Sequence, residues 1–100
     1  MAEPQQGWPA VRQLVIRSLQ VMDRQRYKAE DLLKNGECLR ASTHTALAAY
    51  TLGQIACLCD NWDEATEREC LEIIKGGMDS LTKLLVDIHT DCLPEASRHG

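Results

Sequence analysis

The stretch LEIIKGGMDSLTKLLVDIHTDC, residues 71–92, carries the clearest periodic pattern of the chain. Its apolar residues recur at alternating intervals of three and four, which is the heptad spacing of a helix that packs along one side. The pattern keeps its phase across Gly76-Gly77, although two glycines cost a helix about 2 kcal/mol relative to alanines. We therefore predict one helix from Asn61 to about Cys92, with a kink or a break at the glycine pair as the alternative. The seam consists of Leu71, Ile74, Met78, Leu81, Leu85, Ile88 and Cys92.

Two more helices are predicted before this one. The first runs from Pro9, whose missing N–H suits the first helical position, to Lys34. Asn35-Gly36 then stops it, because glycine accepts the left-handed conformation that closes a helix. The second runs from about Cys38 to Cys59 and is apolar almost all round. Because the linkers are short, we predict an all-α bundle of three long antiparallel helices.

The domain organisation follows from these helices. A chain of 100 residues and 11.2 kDa has room for one core, which excludes enzymes built from separate cofactor and substrate domains. We predict a flexible N-terminal segment at residues 1–8, a single helical domain at 9–92 and a flexible C-terminal tail at 93–100. The tail begins at Leu93-Pro94, because the residue before a proline is biased away from helix.

Charge is divided unevenly along the chain. Residues 1–35 carry six basic and four acidic side chains, whereas residues 60–92 carry three basic and nine acidic ones. The first and third helices are therefore electrostatic complements, and we predict that they lie side by side and flank the second. The net charge of −4 and the four aromatic residues both oppose nucleic-acid binding.

No stretch of the sequence carries a catalytic motif. The phosphate-binding glycine loops and the G-x-S-x-G nucleophile turn are missing from the sequence. The acids between Asp63 and Glu72 lie at the start of a helix and are predicted to be solvated rather than catalytic. We predict no enzyme activity and no cofactor.

The cysteines favour a reduced compartment. Their number is five, which is odd, and their spacing is irregular, so we predict buried free thiols in a cytoplasmic protein. Two alternatives remain open: a reactive, sensing thiol, or a zinc site from Cys38, His44, His89 and Cys92, which the antiparallel path would bring together. Another alternative is a small-ligand cavity between the helices, lined by Met22, Met78 and the alanines. The uncharged run 41–59 contains too many polar residues to predict a membrane span.

The second helix has more apolar surface than two neighbours in one chain cover. We predict a homodimer that forms through a small-residue ridge on this helix or through the seam of the third helix. The aromatic residues Trp8, Tyr50 and Trp62 are candidate anchors for a protein partner. The ridge consists of Ala46, Ala49, Gly53 and Ala56.

Three segments together resemble the small bacterial antiactivators that bind quorum-sensing transcription regulators, the QslA type in particular. They are VRQLVIR at residues 11–17, TALAAYTL at 45–52 and SLTKLL at 80–85. The resemblance implies a homodimer that captures a LuxR-type regulator and blocks its dimerisation or its binding to DNA. It lies in the pattern of the whole chain rather than in a short motif, so it assigns no contact residue.

Overall fold

The computed structural model describes residues 7–60 and 62–99, and it describes side chains up to Cys92. This part of the chain forms three helices and no strand. Helix α1 spans Trp8–Lys34, α2 spans Cys38–Leu58 and α3 spans Glu64–His99. The predicted all-α bundle of three long helices is confirmed, and it is elongated, with extents of 64 × 19 × 17 Å.

The turn between α1 and α2 forms where the sequence predicts it. Gly36 has φ +76°, in the left-handed region that glycine tolerates. Its N–H donates to the carbonyl of Leu33, and the N–H of Glu37 donates to the carbonyl of Leu32 at 2.9 Å. These bonds close the last turn of α1 and reverse the chain.

The two ends of α3 differ from the prediction. Its predicted first residue, Asn61, lies outside the described residues; Asp63 caps the helix by accepting a 2.8 Å hydrogen bond from the N–H of Thr66, which lowers the pKa of Asp63. At the other end, the predicted stop at Leu93-Pro94 is wrong, because the helix continues to His99. A proline removes one N–H from the helix and tends to bend it, and does not always end it. Residues 1–6 and 100 of the predicted flexible segments lie outside the described part.

The core is divided into a large cluster and a small one. The large cluster extends to the end of the bundle where α1 begins, which we call the upper end, and the small one lies at the opposite, lower end. The upper cluster contains Val15, Ile55 and Cys70, which are the largest fully buried side chains, and Trp8 and Trp62 pack against its end. The lower cluster, beside the α1–α2 turn, consists only of Ala29, Leu84 and Ile88, with Leu33 and Cys92 packed against it. The lower end of the bundle is therefore held by few apolar side chains.

Helix α3 passes through Gly76-Gly77 without a break, as the seam predicts. Gly77 is buried against α2: a Cβ atom built on it would lie 2.8 Å from Cδ1 of Leu52, whereas one on Gly76 would meet open space. The missing side chain at Gly77 thus allows α2 to approach α3 closely.

Because Gly77 faces α2, part of the predicted seam on α3 is exposed rather than buried. Leu81 and Ile88 are buried and Ile74 is half-buried, as expected, but Leu71, Met78 and Leu85 are 61%, 56% and 53% exposed. The residue that directly precedes each of these three exposed residues is buried instead. The buried residues are Cys70, Gly77 and Leu84.

The two glycines provide a matched test of this packing. We expect Gly76→Ala to raise the free energy of unfolding by about 0.5–1 kcal/mol, because alanine is the better helix former. Gly77→Ala gains the same propensity, but its methyl group must displace Leu52, so we expect it to be less stable than Gly76→Ala by at least about 1 kcal/mol. Denaturant unfolding of the two variants at one protein concentration measures the difference. Equal stabilisation by both would show that Gly77 does not contact α2.

Helices α1 and α3 are side by side only in part. Both pack on α2, and among the described ion pairs one joins α1 to α3: Arg12 Nε lies 3.0 Å from Glu69 Oε2 near the upper end. The other described pairs connect residues three or four apart along the chain. The prediction that the two helices lie side by side is therefore met only near the upper end, because lower down a cavity lies between them.

Candidate functional site

The upper end of the bundle is closed by two tryptophans. Trp8 and Trp62 pack edge to face with ring centroids 5.3 Å apart, and both are half-buried against the core. The indole N–H of Trp8 donates to Glu69 at 2.8 Å, and that of Trp62 donates to the carbonyl of Leu58 at 2.7 Å. Hydrogen bonds from Arg12 and Trp8 lower the pKa of Glu69. Both predicted anchors at this end are thus engaged within the chain.

The three free cysteines differ in their burial. Cys59 and Cys70 are buried, and Cys57 is exposed. Burial raises the pKa of Cys59 to about 12, and the neighbouring Cys70 adds to the rise. Because the thiolate is the nucleophile, Cys59 is inert near neutral pH. This finding weighs against the sensing-thiol alternative at Cys59.

Cys38 and Cys92 form a disulfide at the lower end, which contradicts the prediction of five free thiols. The antiparallel path brings these two residues together as the zinc alternative expects, but the sulfurs bond to each other. His44 Nδ1 is hydrogen-bonded to Gln25 of α1, and His89 is exposed. Within the described residues, no group of three or more metal-binding side chains is assembled. The disulfide also removes the cysteine argument for a reduced compartment.

A cavity lies between α1 and α3, in the lower half of the bundle. Its volume is about 480 Å³, and it is lined by the apolar residues Leu33 and Leu84 together with charged side chains of both signs. The guanidinium of Arg26 lies at its wall and bonds to Asp23 and Glu30. The predicted cavity lined by Met22 and Met78 does not form, because Met22 is buried in the core and Met78 is exposed.

The outer side of α2 carries an uncovered apolar surface. All four residues of the predicted ridge are exposed, and a Cβ atom on Gly53 would meet nothing within 4 Å. Leu39 and Tyr50, on the same side of the helix, are 81% and 68% exposed. Between Ala41 and Cys59 the helix has no charged residue. Tyr50 is therefore the predicted partner anchor that the structure leaves accessible.

The ridge and the exposed row of α3 border the same groove. Leu52 faces Gly77 of α3, and Ala49 and Ala56 lie one helical turn on either side of Leu52. On α3, Leu71, Met78, Leu85 and Cys92 recur every seven residues, and Cys92 is bonded to α2, so this row also lies on the α2 side. We call the combined surface the α2–α3 face. It consists of Ala46, Ala49, Gly53 and Ala56 of α2 and Leu71, Met78 and Leu85 of α3.

A second apolar patch borders the groove between α1 and α2. The hydrogen bond between Gln25 and His44 marks the side on which these helices meet. Val21 lies one turn before Gln25 and Leu47 one turn after His44, so in an antiparallel pair they are at the same level. Val21, Leu47 and Leu14, which is one heptad before Val21, are exposed. We call this set the α1–α2 face.

No protein-family model, curated protein or solved structure matches this chain. Among the described residues, no helix is long and apolar enough to cross a membrane. The resemblance to QslA-type antiactivators stays a prediction.

Proposed function

We propose that this protein is a non-catalytic regulator that binds another protein and inhibits it by covering its surface. The observation that carries the proposal is the outer side of α2, which has no charged residue between Ala41 and Cys59 and leaves Leu47 and Tyr50 exposed. Contiguous apolar surface of this kind on a small protein is typical of an interaction site. The described residues bring together no group of three or more metal-binding side chains, and burial raises the pKa of the Cys59 thiol to about 12.

The α1–α2 face suits an apolar target surface with acidic residues around it. Exposed basic residues of α1 lie within one turn of Leu14 and Val21, whereas α2 adds no charge beside Leu47. Positive charge around an apolar centre speeds encounter with an acidic partner and selects against a basic one. The basic residues are Arg17 and Arg24.

The partner class that the sequence resemblance implies is a LuxR-type transcription regulator, which would make the protein an antiactivator of quorum sensing. Such a regulator acts on DNA in the cytoplasm, where thiol reductants would open the Cys38–Cys92 bond. Binding therefore has to be measured with the disulfide both formed and reduced.

The test is a binding titration with a purified LuxR-type regulator from the same organism, together with the regulator's retention on its DNA site. We expect the protein to bind the regulator and to release it from DNA. Val21→Glu should weaken binding at least about tenfold, because it buries a charge in the contact. Gln20→Glu adds the same charge about 100° around α1 and should change affinity less than about twofold.

Two outcomes would contradict the proposal. If the regulator stays on its DNA at saturating protein in both redox states, the antiactivator function is wrong. If Val21→Glu and Gln20→Glu bind equally well, the target does not contact the α1–α2 face.

A further inference from the structure

We infer that a second copy of this chain covers the α2–α3 face, about a two-fold axis parallel to the helices. This inference rests on the proposed function and deepens it, since it gives this protein a quaternary structure. It leaves the α1–α2 face of each copy free for the target.

The chain exposes more surface than a monomer of its size normally does. Its accessible area is 7083 Å², about a quarter more than the roughly 5,700 Å² that the scaling for folded monomers gives at 11.2 kDa. A stable complex buries about 800 Å² on each partner. The excess is of the size that one such interface on each copy would bury, and the exposed side chains of Leu71, Met78 and Leu85 contribute to it.

The two halves of the α2–α3 face have complementary shapes. The α2 half is a ridge of alanines and one glycine, and Gly53 has open space where a side chain would lie. The α3 half is a row of large side chains, of which Met78 is the middle one. Small residues allow the large side chains of a second helix to come close to the backbone. Each half is thus a fitting partner for the other half on a second copy.

The symmetry follows from the levels of the residues along the bundle. Cys38 lies at the level of Cys92, and Leu52 at the level of Gly77, so Met78 is at the level of Ala49 and Gly53. A two-fold axis parallel to the helices keeps every level and exchanges α2 with α3. Met78 of the partner subunit then meets Ala49 and Gly53, without any shift along the bundle.

The same axis places Leu71 of the partner subunit near Ala56, and Leu85 of the partner subunit near Ala46. The two helices that meet across the interface are antiparallel, as α2 and α3 are within one chain. An axis perpendicular to the helices would instead bring each α3 row against the other α3 row and leave the ridges facing each other.

The charges permit this contact. The ridge lies within the uncharged run of α2. Beside the α3 row, Lys75 Nζ lies 3.1 Å from Asp79 Oδ2, so these two charges neutralise each other within one copy. Burying the face therefore brings no unpaired charge of this pair into an apolar contact.

Two glycine variants test the surface. Gly53 and Gly76 are both exposed helical glycines with open space at the Cβ position, but Gly76 lies off the α2–α3 face. By light scattering, wild type and Gly76→Glu should have twice the 11.2 kDa mass of one chain. Gly53→Glu should raise the dissociation constant of the dimer at least about a hundredfold, while circular dichroism shows an intact helical fold.

Cross-linking between mixed variants tests the axis. In a Cys57→Ser background, chains with Gly53→Cys are mixed with chains with Met78→Cys and oxidised. The inferred axis predicts a disulfide between the two kinds of chain, whereas the perpendicular axis predicts disulfides between two Met78→Cys chains.

Each result either supports the inference or overturns it. A wild-type chain that stays monomeric, or a Gly53→Glu chain that dimerises as wild type does, overturns the inferred surface. A monomeric wild type that still binds the regulator through Val21 overturns only this inference and leaves the proposed function standing. A wild-type dimer that binds no regulator overturns the proposed function and leaves this inference standing.

Discussion

Replacing Cys92 with serine is expected to lower the free energy of unfolding by about 4 kcal/mol under oxidising conditions. The Cys38–Cys92 disulfide links residues 54 apart in sequence, and opening so long a loop increases the entropy of the unfolded chain. Among the described residues the lower core cluster is small, with Ala29, Leu84 and Ile88 as its buried members, so this end of α3 has little apolar support besides the disulfide. Chemical unfolding measures the loss, at one fixed protein concentration because the inferred dimer would make stability depend on concentration.

The control for this prediction is Cys57→Ser, which removes an exposed free thiol and should leave the stability unchanged within about 0.5 kcal/mol. Adding a reductant to wild type should reproduce the loss caused by Cys92→Ser, since both remove the same bond. If Cys92→Ser costs less than about 1 kcal/mol without reductant, the disulfide does not stabilise the fold.

The second large effect is expected in the upper core. Ile55→Ala should lower the free energy of unfolding by about 3–4 kcal/mol, because Ile55 is fully buried and its loss leaves a cavity that the helices cannot close. A loss of this size is a large part of the 5–15 kcal/mol typical of a small domain. Leu39→Ala, on the same helix but 81% exposed, is the matched control and should change stability by no more than about 0.5 kcal/mol. Equal effects of the two variants would contradict the assignment of the inner and outer sides of α2.

Much of the fold follows from local signals in the sequence. Pro9 near the start of α1, the left-handed Gly36 at its end and the apolar periodicity of α3 each act within one or two turns of chain. Local rules therefore predict the helices and the turn well. They fail at Pro94, because a proline near the end of a long helix removes little hydrogen bonding.

The buried side of α3 does not follow from the spacing of its large apolar residues, because Gly77 is also part of that side. Gly77 packs inward only because Leu52 of α2 fills the space that it leaves. Cys70 is a small side chain and is also inward, so the larger Leu71 and Met78 are turned outward. Such a choice depends on the shape of the neighbouring helix, which no single segment encodes.

The pairing of the cysteines also depends on how the helices pack. An antiparallel path predicts that Cys38 and Cys92 approach each other, and they do. Their count and spacing predict free thiols instead, because an odd number of irregularly spaced cysteines is unusual for a disulfide framework. Pairing depends on the relative level of α2 and α3, which is a property of the packed bundle.

The candidate interaction surfaces were predicted as two alternatives, a ridge on α2 and a seam on α3. The structure leaves the ridge and the outer half of the seam exposed on one face, because Leu52 and Cys38 both contact the same side of α3. The sequence identifies which residues are apolar and small. Their placement on a single face needs the antiparallel packing.

Sedimentation equilibrium of the wild-type chain, over a range of concentrations, tests the central claim that a second copy covers the α2–α3 face. We predict a mass of twice 11.2 kDa at micromolar concentration, with dissociation only on strong dilution. A mass of 11.2 kDa at every concentration would contradict the account, because the exposed ridge and the row around Met78 would then have no partner copy.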